Sequence, residues 1–123
     1  MLSEKAEQFI VDGEETRLLI RGSGQFLCSP TGNCPYWIFR KTANGYAQEI
    51  EGSAQAITVK KGNSKFPELL SQQHGSATDS ELRLYEFDGT AYHLTKCMDQ
   101  SYSDPNDIAR TLDKPILTEI LCN

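Results

Sequence analysis

A β-hairpin signal decides the fold: the chain reads YWIFRKTA at residues 36–43, NG at residues 44–45 and YAQEIE at residues 46–51. Asn-Gly between two runs rich in apolar residues is a strong short-range hairpin signal, because a type I′ turn needs a positive φ at both central positions. The sequence therefore predicts two antiparallel strands joined by this two-residue turn.

The turn also sets which residues face each other across the hairpin. In this register Ala43 faces Tyr46, and alternation along the strands then separates the two faces of the hairpin. Arg40 meets Glu49 on the outer face as an opposite-charge pair. The residues predicted to point into the core are Trp37, Phe39, Ile50 and Tyr46.

A second hairpin is predicted over residues 81–87, Asp88-Gly89 and residues 90–97. One face would carry Tyr85, Phe87, Tyr92 and Leu94, and the other Leu82, Leu84, Ala91, His93 and Cys97. Because both faces are apolar, this hairpin is expected at the centre of the structure, covered on both sides.

The rest of the chain completes a strand-rich pattern. Further strands are predicted at residues 16–21, 54–60 and 116–122, and residues 66–73 fit a strand better than a helix, although the sequence leaves both open. Two short helices are expected at the ends, over residues 3–11, where Ala6, Phe9 and Ile10 share a helical face, and over residues 107–112 after Asp104-Pro105.

These elements define the predicted fold class. At 123 residues the chain is expected to form a single domain spanning residues 1–123. A run of antiparallel strands with helices confined to the ends predicts a mainly β fold, on the border of α+β. The expected architecture is an antiparallel meander that forms a curved sheet, half-barrel or sandwich.

Four cysteines indicate how the chain is cross-linked. Cys28 and Cys34 enclose five residues rich in turn formers, and Cys97 and Cys122 are 25 positions apart. Locality favours the pairs Cys28–Cys34 and Cys97–Cys122, although four cysteines allow three connectivities. Reduced thiols are the alternative, whereas a C-x5-C spacing disfavours the short knuckles of structural zinc sites.

Disulfides in a small domain indicate an oxidising compartment. The sequence therefore predicts a periplasmic or secreted protein. The first ten residues contain charged and polar side chains where the apolar region of a signal peptide would lie, so a leader is expected to have been removed.

Charge and hydropathy narrow the classes of partner. Twelve Lys and Arg against 17 Asp and Glu give a net charge of −5, and without a basic patch the chain is predicted not to bind nucleic acid. No apolar run approaches the length of a membrane span. No cofactor and no metal are predicted, and the oligomeric state is left open.

Catalytic patterns are weak. Glu49 and Glu51 lie on one strand face about 7 Å apart, a carboxylate spacing found in glycosidases, with Arg40 opposite. His93 lies about 13 Å along the strand from Cys97, too far for proton transfer. His74, Ser76 and Asp79 lie in one polar loop, whereas triad members usually come from separate elements. No catalytic residue is therefore assigned.

The Cys28–Cys34 loop is the best candidate for recognition. A short loop closed by a disulfide loses little conformational entropy on binding. Tyr102 and His74 could supply further contacts for a partner next to this loop. The candidate binding residues are Ser29, Thr31, Asn33 and Tyr36.

Three segments resemble small exported bacterial β-rich proteins of uncharacterised function: GNCPYWIF at residues 32–39, NGY at 44–46 and LYEFDGTAY at 84–92. The likeness spans roughly residues 12 to 97 and implies export and a β-rich fold. A fainter likeness is to periplasmic lysozyme inhibitors, which insert a loop into the enzyme cleft and often carry a Ser-Gly-x-x-Tyr motif. Here Ser23-Gly24 is followed by Gln25, Phe26 and Leu27, so the tyrosine is absent.

The sequence thus predicts an exported, non-enzymatic binding protein, such as an inhibitor or an envelope accessory protein, that uses the Cys28–Cys34 loop to contact another envelope or secreted protein. Two alternatives stay open. One is a small hydrolase that uses Glu49 and Glu51, and the other is a purely structural envelope domain.

Overall fold

The computed structural model describes residues 3–24, 27–61 and 65–122. These residues form two antiparallel sheets and no helix. Sheet 1 has the order β1-β2-β3-β4 and sheet 2 the order β5-β6-β7-β8-β9. The strands are β1 (Ser3–Asp12), β2 (Glu15–Ser23), β3 (Cys34–Thr42), β4 (Gly45–Ala54), β5 (Ala56–Lys60), β6 (Glu68–His74), β7 (Asp79–Phe87), β8 (Tyr92–Asp104) and β9 (Asp107–Ile120).

The mainly β, antiparallel prediction is confirmed, and so is the strand over residues 66–73, which forms most of β6. The strands pair consecutively within each sheet. Across the described residues there is no helix of the length and apolarity needed to cross a bilayer.

The predicted N-terminal helix is wrong, because residues 3–11 belong to β1. This strand pairs with β2 through a turn at Gly13, which has a φ of +57°. Phe9 and Val11 are buried while Ile10 between them is 62% exposed. The alternation of a strand therefore overrides the helical spacing of Ala6, Phe9 and Ile10, since the hairpin gives β1 a partner that an isolated short helix would lack.

The predicted C-terminal helix is also wrong, because residues 107–112 lie in β9. Asp104 pairs with Asp107 across a turn, and the Asp104 carboxylate accepts a hydrogen bond from Asn106 N at 2.9 Å. Asp followed by Pro suits the first two positions of a type I turn as well as a helix start. The long partner strand β8 decides between the two.

The first hairpin forms, but its register differs from the prediction. Thr42 pairs with Gly45, so the turn lies at residues 43–44, and Gly45 has the positive φ whereas Asn44 does not. The pairing also shifts beyond Ile38, where Ile50 is the direct partner and Glu49 is the extra residue of a β-bulge.

In this register the face of β3 that was predicted to be outside lies in the core, and the face that was predicted to be buried lies outside it. Tyr36 and Ile38 are buried, whereas Trp37 and Phe39, which were predicted to lie in the core, are half-buried on the other face. Tyr46 is 58% exposed and also lies outside the core. Arg40 pairs with Ala47 and not with Glu49. Of the predicted core residues of this hairpin, Ile50 is confirmed.

The second hairpin is closer to the prediction. Tyr85, Phe87 and Tyr92 are buried, and β7 is the middle strand of sheet 2. The connection spans residues 88–91 in place of two residues, because the Asp88 carboxylate accepts hydrogen bonds from Thr90 N and Ala91 N. The register shifts between Leu84 and Tyr85, and Cys97 pairs with Arg83.

The core lies between the two sheets. Its buried cluster comprises Phe9, Val11, Leu19, Tyr36, Ile38, Ile50 and Ala54 from sheet 1 with Ile57, Leu69, Tyr85, Phe87 and Tyr92 from sheet 2. Because each sheet contributes one apolar face, the two sheets stabilise each other by removing both faces from water.

A buried ion pair between β2 and β4 of sheet 1 contacts sheet 2 inside this core. Arg17 Nε donates to Glu49 Oε2 at 2.7 Å, and the guanidinium lies 5.3 Å from the centre of the Phe87 ring. Glu49 Oε1 accepts a hydrogen bond from Tyr92 N at 2.6 Å. The β-bulge at Glu49 turns this carboxylate inward, so it is fully engaged by Arg17 and the start of β8.

Candidate binding loop

The Cys28–Cys34 loop connects the end of β2 to the start of β3. Both expected disulfides, Cys28–Cys34 and Cys97–Cys122, are present. The first brings the two ends of the loop to a Cα–Cα distance of 4.1 Å. The connectivity that locality favoured is therefore the one in the structure.

Hydrogen bonds inside the loop fix its shape. Ser29 N donates to Asn33 O at 2.7 Å, and Gly32 N donates to Ser29 O at 2.9 Å. The hydroxyls of Ser29 and Thr31 are 2.8 Å apart. Gly32 has a φ of +90°, which a residue with a side chain rarely adopts. Backbone and side chains thus both hold a single tight turn.

Asn33 anchors the loop to sheet 2. Its side-chain amide donates to His74 O at 2.9 Å and its amide oxygen accepts from His74 N at 2.8 Å. Asn33 is 8% exposed, so both bonds are largely shielded from water. The contact joins residues 41 positions apart, and no local sequence signal identifies His74 as the partner.

The two halves of the loop therefore differ in accessibility. Ser29, Pro30, Thr31 and Gly32, which we call the loop tip, are all exposed. The candidate binding residues Ser29 and Thr31 lie in this tip, whereas Asn33 faces inward against His74. The surface that a partner could touch is the polar tip with the Pro30 ring at its centre.

Tyr36, the fourth candidate binding residue, is a core residue. It is 2% exposed, and its hydroxyl lies 3.5 Å from the Tyr85 hydroxyl. Burial raises the pKa of Tyr36. The absence of a side chain at Gly52 makes room for its ring, since a Cβ there would lie 2.5 Å from the tyrosine oxygen. Tyr36 supports the loop from beneath and does not reach the surface.

A shallow depression lies beside the loop, lined by Gln73, His74, Gly75, Asp79, Ser80, Glu81 and Asp99. Hydrogen bonds from Ser101 and Ser76 lower the pKa of Asp79. Because Glu81 and Asp99 stand directly opposite each other on neighbouring strands, the depression is acidic. Tyr102, another proposed contact, is half-buried, and its backbone N donates to Thr78 O at 2.9 Å.

The possible catalytic groups are placed apart or are engaged with other residues. Ser76 Oγ donates to Asp79 Oδ2 at 3.1 Å, while His93 Nε2 lies 2.8 Å from Asp88 Oδ2. Glu49 is bound to Arg17, whereas Glu51 and Arg40 are exposed. The hydrolase interpretation therefore stays a prediction that these placements do not support.

Among the described residues, no group of three or more His, Cys, Asp or Glu side chains is arranged to hold a metal ion. Comparisons of the chain with protein-family models, with curated proteins and with solved structures give no match. Inference about function therefore starts from the geometry of the loop and its surroundings.

Proposed function

We propose that the protein is an exported, non-enzymatic binding protein whose loop tip contacts another envelope or secreted protein. The observation that carries this proposal is the double hydrogen bond between Asn33 and the His74 backbone, which supports an exposed turn already closed by Cys28–Cys34. A loop held in one shape before binding loses little entropy when a partner arrives. Inhibitor loops that enter a cleft use the same physical advantage.

The charge next to the anchored side of the loop supports a partner with a basic surface. Asp79, Glu81 and Asp99 line the depression next to the anchored His74, and the chain has a net charge of −5. Complementary charge accelerates association and suppresses unsuitable partners. We therefore expect the association rate to fall as ionic strength rises.

The two disulfides support export, because such bonds persist in oxidising compartments. A periplasmic or secreted location also fits the resemblance to small exported bacterial proteins. The location of the native protein is measured directly by fractionating cells and detecting the disulfide-bonded form in each fraction.

Site-specific photo-crosslinking tests the binding function. A photo-reactive phenylalanine analogue replaces Pro30, which is exposed and lies at the middle of the tip, and the matched control places the same group at Ala43, an exposed turn residue of the β3–β4 hairpin. We expect envelope extract to give a covalent adduct at position 30 and none at position 43.

The captured protein is then purified and its affinity measured for the wild type and for Pro30→Arg. Adding a bulky positive group at the tip should weaken binding at least about tenfold, since a clash or a lost contact at an interface centre costs this much or more. Equal labelling at both positions, or equal affinity of the two proteins, would refute the proposed role of the loop.

A further inference from the structure

Exposed apolar side chains are concentrated on one strand. Among the described residues, seven large hydrophobic side chains are exposed, and five of them lie on β9 or directly after it: Ile108 (90%), Ile116 (42%), Leu117 (52%), Ile120 (37%) and Leu121 (88%). Single exposed apolar residues are ordinary, but a cluster on one element indicates an interaction surface.

β9 is also an edge strand. It pairs with β8 on one side, and within the described part of the chain no strand pairs with its other side. An unpaired edge presents free N–H and C=O groups that can pair with another strand. The part of β9 before Ile116 is protected, since Lys114 and Pro115 lie there and the register with β8 breaks between Thr111 and Ile116.

The end of β9, residues 116–120, lacks such protection. Residues Ile116 to Ile120 pair in unbroken register with Ser101 to Cys97 of β8. Their sequence is ILTEI, with one charge. The Cys97–Cys122 disulfide fixes the chain just beyond them. The result is a short, regular and mostly apolar edge, whereas β5 at the opposite edge of sheet 2 ends in a lysine, Lys60.

This segment is complementary to itself when it runs antiparallel. With a two-fold axis at Thr118, Ile116 of one copy faces Ile120 of the other, and Thr118 faces Thr118. Leu117 then faces Glu119, so no like charges meet. Ile–Ile and Thr–Thr pairs are favourable cross-strand neighbours, and a two-fold interface requires such a self-complementary surface.

We propose that residues 116–120 pair with the same residues of a second copy of the chain, joining the two five-stranded sheets into one. The occupant is a second copy because the side chains at positions 116, 118 and 120 read the same in reverse and the single charge of the segment, Glu119, faces Leu117 instead of another charge. The surface that a pairing of five residues buries is smaller than the roughly 1,200 Å² that specific, stable interfaces bury. The dimer is therefore expected to form reversibly as concentration rises.

The first test changes the residue on the axis. Thr118→Lys places two positive charges face to face in a homodimer, whereas a lysine on an exposed edge strand is well tolerated by the monomer. In sedimentation velocity over a concentration series reaching about 1 mM, the wild type should shift from monomer to dimer and Thr118→Lys should stay monomeric. Labelled Thr118→Lys mixed with unlabelled wild type should form heterodimers, because the repulsion needs both lysines.

The second test reports the register. Residues directly opposite each other in an antiparallel pair lie within the Cα–Cα range of a disulfide. Thr118→Cys should therefore give a covalent dimer under mild oxidation. The matched control, Thr58→Cys, puts a cysteine at an exposed threonine in the middle of β5, the other edge strand of sheet 2, and should stay monomeric.

The proposal is overturned by a wild type that stays monomeric throughout the series, or by equal cross-linking at positions 118 and 58. It is equally overturned if Thr118→Lys dimerises as well as the wild type. These outcomes report self-association alone and do not measure partner binding by the loop tip.

Discussion

The loop between Cys28 and Cys34 and the strand that leads to Cys122 are each closed by a disulfide, and they differ in what else holds them. The loop has its own hydrogen bonds and the Asn33 anchor on His74. The end of β9, residues 116–120, pairs within the described part of the chain with β8 alone, and its side chains are exposed. The same covalent bond therefore supplements a well-anchored turn in one place and retains a weakly packed edge in the other.

The two regions also present different chemistry. The loop tip is polar and held by its own hydrogen bonds, which suits a specific contact with a partner of defined shape, whereas the end of β9 is a mostly apolar edge, which suits strand pairing. A disulfide thus indicates little about function by itself. The contacts around it determine which surface it supports.

Removing the Cys97–Cys122 bond should have the largest effect on stability. The bond closes a separation of 25 residues, and the chain-entropy model assigns such a closure about 3.5 kcal/mol. Cys97→Ala with Cys122→Ser should lower the free energy of unfolding by about this amount in urea titrations. Cys97 is fully buried, so the small cavity left by alanine adds to the loss.

Removing the Cys28–Cys34 bond should lower the free energy of unfolding by a smaller amount, about 2 kcal/mol, because this bond closes a separation of six residues. Cys28→Ser with Cys34→Ser is the matched variant, measured in the same urea titration. If loss of this bond lowers the free energy of unfolding more than loss of the Cys97–Cys122 bond does, the loop depends on its disulfide more than its hydrogen bonds suggest. The order of the two disulfides is then the reverse of the one predicted.

Asn33→Ala separates the anchor from the disulfide. It removes both hydrogen bonds to His74 and leaves shielded backbone groups unpaired, so the free energy of unfolding should fall by about 1.5 kcal/mol. Asn33→Asp is the control, because a carboxylate keeps the acceptor for His74 N while losing the donor to His74 O. Hydrogen exchange at the His74 amide should accelerate in Asn33→Ala, and an unchanged exchange rate would contradict the anchor.

The last effect concerns the core between the sheets, and it is absent at neutral pH and appears only at alkaline pH. Burial raises the pKa of Tyr92 from 10.0 to about 12. The folded state therefore retains this proton more strongly than the unfolded chain, and the associated stability is present below pH 10 and lost as pH rises toward 12. Tyr92→Phe should make the unfolding free energy fall less steeply over this range. An unchanged slope would contradict the assignment.

The sequence predicted the strand-rich class, the two hairpins and the favoured cysteine pairing, because alternation, turn residues and short spacing are local signals. It did not predict the faces of β3. A bulge at Glu49 and a turn at residues 43–44 shift the register, and the Glu49 carboxylate bonds to Arg17, which lies on another strand.

The helix predictions failed for a related reason. Residues 3–11 and 107–112 carry signals that fit a helix or a hairpin equally well, and the partner strands β2 and β8 decide between them. In the candidate site, the exposure of Ser29 and Thr31 follows from a polar turn. The burial of Asn33 and Tyr36 follows from contacts with sheet 2, which no local pattern encodes.

Backbone order in the loop tip is the most direct test of the claim that the loop is held in one shape for binding. NMR order parameters for the Thr31 and Gly32 amides should exceed about 0.8 in the wild type, close to values of rigid strands. In Asn33→Ala with the disulfide intact they should fall clearly below the wild-type values. Order parameters under about 0.6 in the wild type would contradict a preorganised loop.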